Sequence, residues 1–188
     1  MKTYLATGCA GFIGSNFVHY MLEKHQDIRL INLDKLTYAG NLENLKDIEG
    51  DPRHIFVQGD ICDRELVTRL MEEYDPDYVI NFAAESHVDR SIKNPEIFVE
   101  SNVLGTVNLL QCCKNAWYDA DARTWKEGKK YLQVSTDEVY GALGPEGYFT
   151  ETTPLSPHSP YSSSKARADM FVLAFPDPYR MPVHLTRW

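Results

Sequence analysis

The stretch T-G-C-A-G-F-I-G, Thr7–Gly14, decides how the rest of the chain is read. It follows an apolar run of strand length, K-T-Y-L-A-T (Lys2–Thr7). It leads into F-I-G-S-N-F-V-H-Y-M-L-E-K-H, where Ile13, Phe17, Val18, Met21 and Leu22 fall on one helical face. In a strand–turn–helix context, Gly8, Gly11 and Gly14 have separate tasks. One permits the tight turn, a second lets backbone approach a pyrophosphate, and the third lets helix pack closely on strand. The helix start then offers unpaired N–H groups and a partial positive charge to phosphate oxygens. Phe12 and Ile13 belong to the same candidate phosphate loop.

A glycine triplet alone is no more than a turn. The next apolar run, I-R-L-I-N-L-D, ends on Asp34, 20 residues past Gly14. A carboxylate there accepts hydrogen bonds from ribose hydroxyls and repels a 2′-phosphate, which favours NAD over NADP. Lys35, Thr37 and Ile61 are grouped with it as cofactor-binding candidates. Asp60 ends the third strand, H-I-F-V-Q-G-D, and either contacts the adenine or caps the helix that follows.

Working outward, strand-length apolar runs alternate with amphipathic stretches. N-L-E-N-L-K-D-I is a short helix, R-E-L-V-T-R-L-M-E-E-Y a longer one, and D-Y-V-I-N-F-A-A a strand. Residues 94–119 form one long helix with Pro95 in its first turn. K-K-Y-L-Q-V-S-T is a strand, residues 160–175 a helix, and M-P-V-H-L-T-R a last strand. Pro176 and Pro178 end the helix near Phe175. The loop from about Asp137 to Pro160 is long enough to be functional or to hold a short element of its own. This β-α-β-α order predicts an α/β fold, a doubly wound parallel sheet with strand order 3-2-1-4-5-6 and ligands at the carboxyl ends of the strands.

The chain has 188 residues, 24% of them charged, and a net charge of −8. That balance argues against nucleic-acid or anionic-membrane partners, both of which need a basic surface. The N-terminus reads as a strand entering a turn rather than a signal peptide, and no apolar run approaches a membrane span. Cys9, Cys62, Cys112 and Cys113 lack metal or redox spacing and are expected as buried free thiols in a reducing cytoplasm. The histidines form no ligand-spaced pair, so no metal site is expected.

Late in the chain, Y-S-S-S-K-A places Tyr161 and Lys165 four residues apart, on one helical face. A free tyrosine titrates near ~10, too high for a base at neutral pH. A neighbouring ammonium favours the phenolate. In isolation the pair is an exposed helix start, but behind a dinucleotide loop it is a candidate acid/base pair.

At these residues the chain resembles the extended short-chain dehydrogenase/reductase family, through T-G-x-x-G-F-I-G, Tyr161 with Lys165, and S-N-V-L-G-T-V-N-L-L. In that family the tyrosine is the acid/base and the lysine binds the nicotinamide ribose. V-S-T-D-E-V-Y-G narrows the likeness. Sugar-nucleotide epimerases generally lack the acidic pair, whereas dTDP-glucose 4,6-dehydratases carry Thr-Asp-Glu here. N-L-D-K-L-T-Y-A-G-N-L-E-N-L and N-F-A-A-E-S-H-V-D-R-S-I are similar to the same dehydratases.

The resemblance implies an NAD-dependent lyase of deoxysugar (rhamnose-type) biosynthesis acting on dTDP-glucose. Tyr161 takes the proton from O4, Glu138 removes the C5 proton, Asp137 protonates the departing C6 hydroxyl, and Thr136 aligns O4. Two adjacent carboxylates in one pocket are expected to have their pKa values pushed apart. Ala83 and Ala84 are expected to pass the cofactor. Glu85, Ser86, His87 and Arg90 are expected on the substrate side, although His87 could be a structural histidine and Arg90 a partner of Asp89 or Glu85. A homodimer through 94–119 and 160–175 is implied.

Family enzymes are about twice as long, and a segment like C-S-N-N-Y-G-P follows their Thr-Arg where Trp188 stands here. Residues 1–188 are therefore expected to be the dinucleotide-binding domain with the catalytic residues, and the substrate domain is expected to be largely missing. The alternatives are a dinucleotide-binding module without turnover, a dehydratase for another nucleotide sugar, or a 4-epimerase.

Overall fold

The computed structural model describes residues 1–188. The first half runs β1 (Lys2–Thr7), α1 (Phe12–Lys24), β2 (Ile28–Asp34), a 3-10 stretch (Leu42–Ile48), β3 (His54–Gln58), α2 (Arg64–Tyr74) and β4 (Tyr78–Asn81). Then come α3 (Val88–Lys93), α4 (Glu96–Phe98), a π-helical stretch (Val99–Leu104), α5 (Gly105–Trp117), β5 (Tyr118–Asp119) and β6 (Thr124–Trp125). The chain closes with β7 (Lys130–Ser135), a 3-10 turn (Asp137–Tyr140), α6 (Pro160–Ala174), α7 (Pro176–Tyr179) and β8 (Val183–Arg187).

Six strands form one parallel sheet in the order β3-β2-β1-β4-β7-β8. With the small β5–β6 hairpin set aside, this is the expected 3-2-1-4-5-6 arrangement. Continuous burial along β2, where six of seven residues are buried, reflects a sheet covered on both faces. Neighbours in β1 face opposite ways. Leu5 joins a core with Val67 and Leu70 of α2 and Leu109, Cys113 and Trp117 of α5. Ala6 joins a second core with Val18, Met21 and Leu22 of α1. The crossovers diverge on either side of β1, opening a crevice at the strand ends between β1 and β4.

Local chemistry sets the helix starts. The Asp63 carboxylate accepts from the Leu66 amide and caps α2. Ser159 and Ser162 cap each other's backbone at the start of α6, and Pro160 occupies the first helical position.

Several expectations need correction. Ile13 is exposed at the crevice rather than in the α1 core, because the helix face turns only from Gly14 inward. The long helix starts at Glu96 with Pro95 as its cap, contains π-helical backbone over Val99–Leu104, and ends at Trp117. Tyr118 leaves it to pair with Trp125 in an antiparallel hairpin that the sequence reading did not foresee. That hairpin packs through aromatic rings, Tyr118 on Trp125 and on Tyr179. Past Phe175, Pro176 opens a one-turn helix instead of simply ending one, as its fixed φ suits a first helical position. Cys9, Cys112 and Cys113 are buried free thiols, but Cys62 is exposed.

Candidate functional site

A cleft of about 380 Å³ lies at the carboxyl ends of β1, β2, β4 and β7, within the usual size of ligand pockets, roughly 300–1,000 Å³. Its floor is the turn between β1 and α1, where Gly8, Gly11, Phe12, Ile13 and Gly14 all line it. Gly8 has φ +71°, and a Cβ there would lie 2.5 Å from the Ala83 nitrogen. Gly8 therefore serves both the turn and the close approach of β1 to the segment after β4. A Cβ on Gly14 would lie 2.6 Å from the Cys9 Cα and the Gly8 oxygen, so this glycine lets α1 sit down on the turn. Gly11 is the least crowded, its nearest neighbour being the Gly8 oxygen at 3.3 Å. No side chain caps α1 and no acid lies in its first turn, so its N–H end is left for an anion.

Asp34, Lys35, Thr37, Asp60 and Ile61 line one wall. Asp34 is buried, and its two oxygens accept from the Ala10 amide and the Leu36 amide, each at 2.8 Å. Its first job is thus to tie the glycine turn to the loop after β2. A carboxylate has about four lone-pair sites, so acceptor capacity remains. Asp60 does not cap α2, a role Asp63 fills. It accepts from the Cys62 amide at 2.9 Å and pairs with Lys35 Nζ at 2.6 Å. Burial pushes its carboxyl up, but the Cys62 amide and the Lys35 ammonium outweigh that and hold it below the ordinary value. Burial raises the Cys62 thiol to about 11.

Ala83, Ala84, Glu85 and Ser86 form the opposite wall. Glu85 is buried, and burial raises its carboxyl above the ordinary value against the pull of Arg90 and Lys35. Its backbone is clamped by Asn102, which accepts from the Glu85 amide and donates to the Glu85 carbonyl, each at 2.9 Å. Asn102 also donates to Ser164 on α6 at 2.8 Å. Asn102 lies in the π-helical stretch, a backbone form often found near functional sites. The sequence reading did not single it out. An Asn followed by the apolar Val103 and Leu104 within a helical run was the available signal, because a buried amide must find partners. His87 and Arg90 are exposed and do not line the cleft. The Arg90 guanidinium stacks over Tyr38 at 4.0 Å and reaches Glu85 at 4.0 Å.

At the far end stand Thr136, Tyr161, Lys165, Val134 and Ser135, together with Trp188. The helical spacing brings Tyr161 and Lys165 to the same wall, both buried. Lys165 donates to the Val134 carbonyl at 2.8 Å. Burial lowers its pKa to about 8, against the opposing charge of Asp169. Tyr161 departs from expectation. Burial raises its pKa, the Thr136 hydroxyl opposing and the negative charges of Glu138 and Asp137 adding to the rise. Asp137 and Glu138 also depart from expectation. Thr136 caps their turn by accepting from the Glu138 amide at 3.3 Å, and the turn leaves both carboxylates exposed, outside the cleft lining. Both charges nevertheless reach Tyr161, whose pKa they help to raise.

Comparison with known proteins adds a family. The model of the family described as GDP-mannose 4,6 dehydratase matches residues 5–188. The chain is 55% identical over 186 residues to a dTDP-glucose 4,6-dehydratase of Xanthomonas campestris pv. campestris, covering 99% of this chain and 52% of that one. The crystal structure of dTDP-glucose 4,6-dehydratase from Bacillus anthracis in complex with NAD superposes with a TM-score of 0.85 at 49% identity, covering 100% of this chain and 54% of that one. DesIV, a dTDP-glucose 4,6-dehydratase from Streptomyces venezuelae with NAD bound, gives 0.88 at 44% identity, over 98% of this chain and 55% of that one. The chain thus spans about half the length of the relatives it matches. With its doubly wound sheet, its glycine turn and its tyrosine–lysine wall, the chain belongs to the GDP-mannose 4,6 dehydratase family.

Proposed function

We propose that this chain carries the NAD-binding and catalytic half of a dTDP-glucose 4,6-dehydratase, a lyase that forms dTDP-4-keto-6-deoxyglucose. The observation that carries the reading is the meeting of the Gly8–Gly14 turn, Thr136, Tyr161 and Lys165 around one cleft. The residues fit a dinucleotide. Gly11 lines the cleft without a side chain, the N-terminus of α1 is uncapped, and Asp34 keeps lone pairs free at the end of β2. The solved relatives with NAD bound support the same cofactor.

When bound, the nicotinamide supplies reversible hydride acceptance, from C4 and back to C6 of the sugar. The chain's own residues do the rest. Gly8, Gly11, Gly14 and the start of α1 hold the pyrophosphate, with Phe12 and Ile13 at the mouth. Asp34 takes the adenine-side ribose, Lys35, Thr37, Asp60 and Ile61 surround the adenine end, and Ala83 and Ala84 leave room beside the nicotinamide half. Lys165 binds the nicotinamide ribose and supplies positive charge beside Tyr161. Tyr161 accepts the O4 proton, and Thr136 holds O4. The 4-ketone acidifies C5, so Glu138 can take that proton while Asp137 protonates the leaving C6 hydroxyl. Both carboxylates stand on the exposed turn beside Tyr161, within reach of its charge. Glu85 and Ser86 bind the sugar side from the cleft wall, and His87 and Arg90 from the exposed surface beyond it.

The exposure of Asp137 and Glu138 favours a second reading, an NAD-binding module without turnover. Incubation with NAD⁺ and dTDP-glucose, followed by mass spectrometry, separates the two. Loss of one water from the sugar nucleotide supports the dehydratase, and NAD⁺ binding without that loss supports the module. A product from UDP-glucose at equal rate would shift the substrate assignment.

The chain also forms a homodimer through α4–α5 and α6, where Val99, Leu104, Met170, Phe171 and Leu173 leave apolar surface exposed. A gel-filtration mass of one chain refutes that. The cytoplasm, where NAD and sugar nucleotides are available, is its compartment. No helix is long and apolar enough to cross a membrane.

A further inference from the structure

Asp169 is fully buried on α6 and takes no part in the chemistry above. It lies one helical turn past Lys165. Arg187 Nε on β8 donates to its Oδ2 at 2.8 Å, and the same guanidinium donates through NH1 to the Tyr140 hydroxyl at 2.7 Å and stacks over that ring. The other carboxylate oxygen, Oδ1, has no hydrogen bond of ordinary geometry, and neither does the buried hydroxyl of Ser135 on β7, which faces the carboxylate. Arg187 thus pairs directly with the buried carboxylate, while the buried Lys165 lies one turn away on the same helix face, close enough to share its field but outside salt-bridge distance. The one hydrogen bond of the Lys165 ammonium is to the Val134 carbonyl, and no other carboxylate raises its pKa. An ammonium held out of water with no anion nearby gives up its proton.

We propose that Asp169 is a positioning residue for the Tyr161–Lys165 pair, the buried counter-charge that keeps Lys165 an ammonium while its bond to Arg187 seats α6 on β8. The claim concerns the protonation of Lys165 and rests on the cofactor reading only for its consequence, ribose binding by that ammonium. Because Tyr161 is disfavoured as a phenolate by its own burial, the charge on Lys165 is the term the site most needs to protect.

The native Lys165 releases its proton near pH 8, earlier than an unfolded lysine. Unfolded chains then bind the extra proton, so stability rises with pH from about 8 until the unfolded lysine also titrates. The test is urea unfolding of the ligand-free chain from pH 6 to 10, for the wild type and Asp169→Asn, each with and without Lys165→Met. The difference made by Lys165→Met isolates the lysine's own titration from that of every other group. Its onset is expected about one pH unit lower in Asp169→Asn than in the wild type, the lower end of what a close opposite charge does.

Since Asp169→Asn leaves the largely buried Arg187 without its counter-charge, although still bonded to Tyr140, Asp169→Asn/Arg187→Met is measured in parallel. It removes the pair together and is expected to show the same lower onset. An unchanged onset in the variants that fold overturns the proposal and leaves Asp169 as a mere tie between α6 and β8. NAD⁺ titration by calorimetry over the same pH range reads the consequence. Asp169→Asn should match the wild type within about twofold at pH 6 and bind several-fold more weakly at pH 8. If NAD⁺ binds to no form, the cofactor reading falls, while the unfolding data still decide the role of Asp169.

Discussion

Alanine at each of the three glycines should separate backbone strain from ligand approach. At Gly8 the native φ of +71° forces an L-residue into the left-handed region, at about 1–2 kcal/mol. The added Cβ would meet the Ala83 nitrogen at 2.5 Å and its Cα at 2.6 Å, both backbone atoms that no rotamer change can move aside. Overpacking of this kind adds about 1–3 kcal/mol. Gly8→Ala should therefore lose about 2–5 kcal/mol. With a urea slope of about 2–3 kcal/mol/M for a domain this size, that lowers the midpoint by roughly 1–2 M.

Gly11 differs. Its φ of −78° suits any residue, and its Cβ would lie 3.3 Å from the Gly8 oxygen. The cost is then the exchange of a helix-cap glycine for alanine plus a shift of a few tenths of an ångström by the Gly8 carbonyl, together about 1 kcal/mol. Yet Gly11→Ala adds a methyl group to a turn that lines the cleft, so NAD⁺ affinity should fall at least tenfold by calorimetry while the urea midpoint falls far less than in Gly8→Ala. Equal stability losses at the two positions, or full NAD⁺ affinity in Gly11→Ala, would refute the division of labour among the glycines.

Other outcomes follow from single residues. Asn102→Ala strands the Glu85 amide and carbonyl and should cost about 2–4 kcal/mol in urea unfolding, while loss of less than 1 kcal/mol would deny the clamp. Asn32 is fully buried in β2 with neither amide atom bonded, so Asn32→Val should stabilise the chain by about 1 kcal/mol, and a destabilised variant would contradict this. Glu85 holds its proton longer in the folded chain than in the unfolded one, so its contribution to stability is present in acid and lost as pH rises through its raised pKa. Glu85→Gln should remove that part of the pH dependence in melts between pH 4 and 7, and an unaltered profile counts against it. Tyr161→Phe should keep NAD⁺ binding while lowering any turnover by about 10²–10⁴-fold, and turnover at the wild-type rate would exclude Tyr161 as the acid/base.

Much of the fold was legible because its signals are local. Alternation of apolar runs with 3.6-residue periodicity marks the β-α units, and right-handed crossovers leave few sheet orders open. The Gly8–Gly14 turn, Asp34 and the Tyr161–Lys165 spacing were readable for the same reason. Each is a short-range pattern whose geometry follows from the element it sits on. The β5–β6 hairpin escaped because two-residue strands carry no periodicity and are held by rings from α7. The π-helical backbone at Val99–Leu104 escaped because its sequence is that of an ordinary helix.

What the sequence by itself determined, then, is which elements form, in what order, and which residues lie at the carboxyl ends of the strands. Tertiary structure alone decided the state of those residues. Asp34 spends one lone pair of each oxygen on backbone amides from separate loops. Asp137 and Glu138 stay exposed although their neighbour Thr136 is buried in the cleft wall. Lys165 is brought to a pKa of about 8 beside an aspartate answered from β8. Burial and partnership are sums over atoms distant in the chain, and a carboxylate or ammonium changes its chemistry with those sums, whereas helix and strand periodicity does not.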